Sequence, residues 1–196
     1  GHVCPTAAIR PLTRDERTGQ NRFKEQGPLR IGNAFVDRGR CLPWAMNTPC
    51  IVCQENCPVS PKAIFTRVVF NPVQLERSLI VASADKKELV IDDAALPPGR
   101  YASGDYYCRV NDQSPKQIVR QTEQIISISV AHTFDPTPQL GDDVQLLIRL
   151  QQPFVTPERC IGCGICEHEC PVSGQRAIRV TAENESREAQ HGFLLS

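Results

Sequence analysis

The sequence predicts an α+β fold: a small unit built from two similar cysteine motifs, interrupted by an antiparallel β insert that is a barrel or a sandwich. Three observations lead there. Two cysteine runs end in related tails, Cys57-Pro-Val-Ser-Pro-Lys-Ala-Ile and Cys170-Pro-Val-Ser-Gly-Gln-Arg-Ala-Ile. Between them, residues 73–155 carry short β-rich runs separated by turn signals. Sixteen prolines and twelve glycines in 196 residues favour turns over long helices.

Taken in order, residues 1–72 hold a Cys4 tail, a basic linker and the first full motif. Arg10 to Arg30 is rich in Arg, Lys, Glu and Gln and reads as a solvated loop or short helix. Asn33 to Asp37 reads as a strand leading into Cys41, and Ala63 to Phe70 as a strand leaving Cys57. In the insert, residues 73–155, strands are expected at Ser78–Ser83, Glu88–Ile91, Tyr106–Val110, Ile125–Ala131 and Val144–Leu150. Pro97-Pro98-Gly99, Ser103-Gly104-Asp105, Asp135-Pro136 and Gly141-Asp142 mark the turns between them. Residues 156–184 carry the last motif and an outgoing strand, Ala177–Val180, and residues 185–196 form a polar tail.

Composition narrows the function classes. Twenty-two basic and 22 acidic residues give zero formal net charge, which disfavours nucleic-acid binding through bulk charge. Hydrophobic residues make up 40%, but no apolar run approaches the roughly 20 residues of a transmembrane helix. The outlier is cysteine, at ten residues.

Cys160, Cys163, Cys166 and Cys170 form Cys-x2-Cys-x2-Cys-x3-Cys-Pro, the bacterial run for a [4Fe–4S] cluster. Three closely spaced cysteines wrap one cluster through a tight loop. The fourth, before Pro171, points away and in two-cluster ferredoxins ligates the other cluster. Gly162 and Gly164 let the loop reach positive φ and bring backbone N–H groups near sulfur. Cys41, Cys50, Cys53 and Cys57-Pro58 repeat the pattern, with Leu42 to Pro49 inserted after the first cysteine. The two motifs read as halves of a ferredoxin-like two-cluster [4Fe-4S] unit related by pseudo-twofold symmetry. A third tail, Cys4-Pro-Thr-Ala-Ala-Ile, lacks its three preceding cysteines, so the chain is expected to be the C-terminal part of a longer polyferredoxin.

Zinc and disulfides are the rival readings. A structural zinc site pairs two separated knuckles, unlike three cysteines at x2, x2 and then Cys-Pro. A disulfide scaffold does not repeat cysteines this closely. The remaining Cys108, in Tyr106-Tyr107-Cys108-Arg109-Val110, reads as a buried strand cysteine. His168 fills the x3 gap before Cys170, and His2, His132 and His191 are isolated. Trp44, in the insertion, either shields a cluster or packs beneath the loop.

Arg30-Ile-Gly-Asn-Ala-Phe-Val-Asp-Arg-Gly-Arg-Cys41-Leu-Pro-Trp, followed by Cys50-x2-Cys53-x3-Cys57-Pro and Cys160-x2-Cys163-x2-Cys166, resembles the last two motifs of the MauM/NapG ferredoxin-type proteins. These are polyferredoxins associated with periplasmic nitrate reductase and methylamine dehydrogenase systems. The resemblance covers residues 1–70 and 156–182; the 73–155 insert is far longer than the usual link, and the first motifs are absent. It implies [4Fe–4S] electron transfer, and two ligand groupings follow. In a self-contained pair, Cys57 joins Cys160, Cys163 and Cys166, while Cys170 joins Cys41, Cys50 and Cys53. In the nested arrangement of related four-cluster proteins, Cys4 completes the Cys41, Cys50 and Cys53 set. Cys57 and Cys170 then serve clusters whose other ligands lie upstream. Either way every cysteine except Cys108 is a ligand.

The expected function is a one-electron conduit between redox partners, a protein donor and a protein acceptor, with two [4Fe-4S] clusters in this chain. Apolar neighbours such as Ile51, Val52, Ile161 and Ile165 push toward low potential, roughly −400 mV within a range of about −700 to +450 mV. No Gly-rich dinucleotide fingerprint, P-loop or nucleophile–base pair is legible, so no active site of its own is expected. An Fe–S domain of a larger oxidoreductase and a cluster-bearing assembly or maturation factor are the alternatives. No nucleic-acid partner is expected, and membrane association only through an upstream part. Cytoplasm and periplasm both stay open.

Overall fold

The computed structural model describes residues 5–6, 11–25, 27–92 and 96–186. The Cys4 thiol and the tail beyond residue 186 lie outside the described residues. The chain divides into two compact units: Gly1–Met46, Ile51–Thr66 and Pro153–Ser196 in one, Asn47–Cys50 and Arg67–Gln152 in the other.

The first unit begins with helix α1 (Arg14–Thr18). The Thr13 side chain caps it by accepting from the Glu16 N–H at 3.2 Å, and Gly19 ends it in the left-handed conformation. A 3-10 turn over Asn21–Phe23 follows, then strand β1 (Asn33–Val36). Short helices α2 (Leu42–Ala45) and α3 (Val52–Glu55) carry the first motif. Pro43 sits in the first turn of α2, where its missing N–H costs nothing. Strand β2 (Ile64–Pro72) leaves that motif.

In the second unit, β3 (Leu79–Ala84), β4 (Glu88–Ile91), β5 (Tyr106–Val110), β6 (Lys116–Gln121), β7 (Ile125–Ile128) and β8 (Asp143–Val155) succeed one another. The sheet order is β2-β8-β3-β4-β7-β6-β5, and β8 also pairs with β5. Six strands therefore close on themselves. Val144 of β8 faces Leu79 of β3 on one side and Val110 of β5 on the other. Antiparallel closure removes the free edges a short sheet would expose. The interior is filled by Val81, Leu89, Ile91, Cys108, Ile118, Ile126 and Leu146, all fully or almost fully buried.

The sequence patterning missed β6, because only Ile118 and Gln121 turn inward and a register shift between Ile118 and Arg120 breaks the alternation. It also stopped β8 at Leu150, whereas the strand runs on to Val155 and pairs with β2 as well.

The chain then returns to the first unit with α4 (Ile165–Glu169) and β9 (Ile178–Thr181). β9 pairs antiparallel with β1, from Asn33 opposite Thr181 to Val36 opposite Ile178. Thus the strand entering the first motif lies beside the strand leaving the second.

Candidate metal centre

The two motifs adopt the same local path. Cys53 is the second residue of α3 and Cys166 the second of α4. The Cys41 N–H donates to the Asp37 carbonyl at 3.1 Å, and the Cys160 N–H to the Thr156 carbonyl at 3.2 Å. Each incoming segment is also tied to the outgoing segment of the other motif: the Asp37 N–H donates to Ala177 O and the Thr156 N–H to Ala63 O, both at 2.7 Å. After each Cys-Pro tail the Ala-Ile pair is buried, Ala63 and Ile64 in one motif, Ala177 and Ile178 in the other. The isoleucine of each pair also opens the outgoing strand.

These contacts bring the thiols inward. Cys41, Cys53, Cys57, Cys160, Cys166 and Cys170 share one buried cluster with Ala34, Ala63, Ile64, Ala177 and Ile178. Cys163 is exposed. Cys50 is half-buried and falls in the 47–50 segment grouped with the barrel unit. Cys108 is in the barrel core, apart from the motifs, where burial pushes its thiol up to about 12.

A small cavity is lined by Cys57, Cys160, Cys163 and Cys166, with Ala34, Ile64, Ile161 and Val180 among the other residues of its wall. Three thiols come from one motif and the fourth from the other, one motif's loop meeting the other's Cys-Pro tail. Burial pushes Cys166 up to about 12, and negative charge on Cys160, Cys163 and Cys57 pushes the same way. Four bare thiolates here repel one another, and a cationic metal centre reverses that penalty. Among the described residues no carboxylate or imidazole lines the cavity, so the donor set is soft sulfur, suited to zinc or to an iron–sulfur cluster. Among the described residues, no three His, Cys, Asp or Glu side chains are grouped as a single-ion site. The sulfur-only donor set is of the kind that holds an iron–sulfur cluster.

Backbone groups finish the site. The buried Ala34 N–H donates to Cys160 Sγ at 3.3 Å. Gly162 (φ 70°) and Gly164 (φ 78°) take the left-handed conformation the loop was expected to need. At Gly162 the requirement is also steric, since a Cβ would lie 2.6 Å from the Gly32 nitrogen. Two basic side chains the sequence reading passed over occupy corresponding places. Lys62 Nζ donates to the carbonyls of Gln54 (2.7 Å) and Glu55 (2.8 Å). Arg176 Nη1 donates to those of Cys170 and Val172, both at 2.7 Å. The signal was available in the repeat, where each basic residue directly precedes Ala-Ile. Trp44 packs edge-on against Phe154, with ring centroids 5.4 Å apart, and its Nε1 donates to Pro153 O at 3.3 Å. His168 is exposed, and its ring Nδ1 lies 3.0 Å from Glu169 Oε1.

Residues 153–173 match the 4Fe-4S binding domain family, Fer4. The match supports a 4Fe-4S iron–sulfur protein of ferredoxin type. It spans the incoming segment and all four cysteines from Cys160 to Cys170, and so includes three of the four thiols around the cavity. No curated protein and no solved structure matches the chain.

Proposed function

We propose that this iron–sulfur protein is a one-electron carrier, its cysteine unit a ferredoxin-like two-cluster arrangement. The observation that carries the reading is the arrival of Cys57 in the cavity lined by Cys160, Cys163 and Cys166. That crossing is how two-cluster ferredoxins complete each ligand set. It favours the self-contained grouping, with Cys57 on the Cys160 set and, by the reciprocal crossing, Cys170 on Cys41, Cys50 and Cys53. The reciprocal bonds of Asp37 to Ala177 and Thr156 to Ala63 support the same pseudo-twofold relation.

When bound, the cluster supplies a reversible one-electron couple. Cys57, Cys160, Cys163 and Cys166 hold it, Ala34 steadies a ligand sulfur, and Ile64, Ile161 and Val180 keep water from the cavity wall. Exposed Cys163 puts one ligand at the surface, where electrons are exchanged with protein donors and acceptors. The resemblance to the MauM/NapG ferredoxin-type proteins belongs to this reading, because it spans both motifs and the segment leading into Cys41.

The test is anaerobic reconstitution, iron and sulfide analysis, and an EPR-monitored redox titration. Two clusters with about four irons and four sulfides each, reduced reversibly, are expected. Cys57→Ser should abolish or transform the signal of one cluster. Colourless protein holding zinc, or clusters that do not cycle, would overturn the proposal.

A further inference from the structure

In each motif the residue after the third cysteine reaches across to the strand that leaves the motif. Gln54 follows Cys53 and Glu167 follows Cys166, and both cysteines are the second residues of their helices. Thr66 stands two residues beyond Ile64 in β2, and Val180 two residues beyond Ile178 in β9. The Thr66 hydroxyl donates to Gln54 Oε1 at 3.2 Å, and the Val180 N–H donates to Glu167 Oε2 at 2.8 Å. The two bonds lie at matching places of the repeat, and each fastens a cysteine-bearing helix to its outgoing strand.

One of these side chains is a neutral amide and the other a carboxylate. An amide oxygen accepts a hydrogen bond as a carboxylate oxygen does, so the fastening alone does not need the charge. The charge has a separate consequence. Val180 lines the cavity of Cys57, Cys160, Cys163 and Cys166, and Glu167 holds the backbone of that wall residue. Glu167 is half-buried, so water and salt screen it less than a surface carboxylate. Reduction adds one electron to the cluster and breaks no bond in the protein. A fixed negative charge nearby opposes the added charge and lowers the potential.

Resting on the two-cluster reading above, we propose that Glu167 is a positioning residue that also sets the potential of the Cys57, Cys160, Cys163 and Cys166 site. Its hydrogen bond holds β9 at the cavity wall. Its charge keeps the bound cluster harder to reduce than a glutamine at this place would.

The test is Glu167→Gln in the full chain, reconstituted anaerobically and titrated with mediators while EPR follows the cluster whose signal Cys57→Ser alters. Glutamine keeps an acceptor for the Val180 N–H and removes the charge. The midpoint of that cluster is expected to rise while the other stays. Amide exchange at Val180 should remain slow in this variant and accelerate in Glu167→Ala, which removes the acceptor. The reciprocal Gln54→Glu should lower the midpoint of the other cluster. A midpoint that stays put or falls in Glu167→Gln would overturn the inference. So would loss of the cluster in that variant, because a glutamine performs the fastening in the other motif. Unchanged Val180 exchange in Glu167→Ala, or an unmoved or raised midpoint in Gln54→Glu, also counts against it. Iron and sulfide content separates these failures from that of the two-cluster reading, which fails if the unsubstituted protein does not hold two clusters.

Discussion

The barrel core and the cysteine core are made of different material. Of the fourteen described residues buried in the barrel cluster, all but Cys108 are aliphatic or aromatic. Of the eleven described residues in the cysteine cluster, six are cysteines and three are alanines. Leucine, isoleucine, valine and phenylalanine each contribute about 1.5–3 kcal/mol when fully buried. Cysteine and alanine bury far less apolar area. Closed strand pairing with aliphatic filling lets the barrel hold itself by the hydrophobic effect. Among its described residues the cysteine unit has short helices of four or five residues and a two-stranded sheet, so metal binding is expected to supply much of its folding free energy.

The largest test of that difference is removal of the iron by anaerobic chelation with an oxidant. Amide exchange should accelerate by orders of magnitude through β1, α3, α4 and β9, while β3 to β7 remain protected. Joint collapse of both regions would show that the barrel leans on the metal as well. A substitution aimed at the other core reverses the experiment. Ile118 is completely buried, and Ile118→Ala should destabilise the barrel by about 2–5 kcal/mol. Trp44, the one tryptophan, lies in the cysteine unit, so its fluorescence reports on that unit while circular dichroism follows the β transition. The β transition should move to lower denaturant and the tryptophan transition should stay.

The smallest expected effect concerns alkali. Burial raises Cys108 from an ordinary thiol value of 9.0 to about 12. The unfolded chain therefore loses this proton first, so the stabilisation is complete below pH 9 and falls as pH climbs toward 12. Cys108→Ala should flatten the alkaline limb of barrel stability measured by denaturant titration, and an unchanged limb would mean the thiol does not contribute to it.

Much of the cysteine unit was legible because its signals are local. Gly162 and Gly164 announce a tight loop, and both take positive φ. The strands around Glu88–Ile91 and Tyr106–Val110 followed from apolar runs bounded by turns, and both have those bounds. What escaped depends on neighbours. β6 shows little alternation by itself and exists because β5 and β7 flank it. The extension of β8 follows from its pairing with β2. The role of Ala34 was invisible because a backbone donor leaves no residue signature, and its sulfur partner is 126 positions away.

Chain chemistry by itself determined the kind of donor, since three thiols within seven residues must wrap one centre whatever surrounds them. Only the tertiary structure decided which distant thiol completes the cavity. Cys57 reaches Cys160, Cys163 and Cys166 across more than a hundred residues of intervening chain. Such a meeting depends on how strands pair and loops close, and spacing along a flexible chain does not specify it.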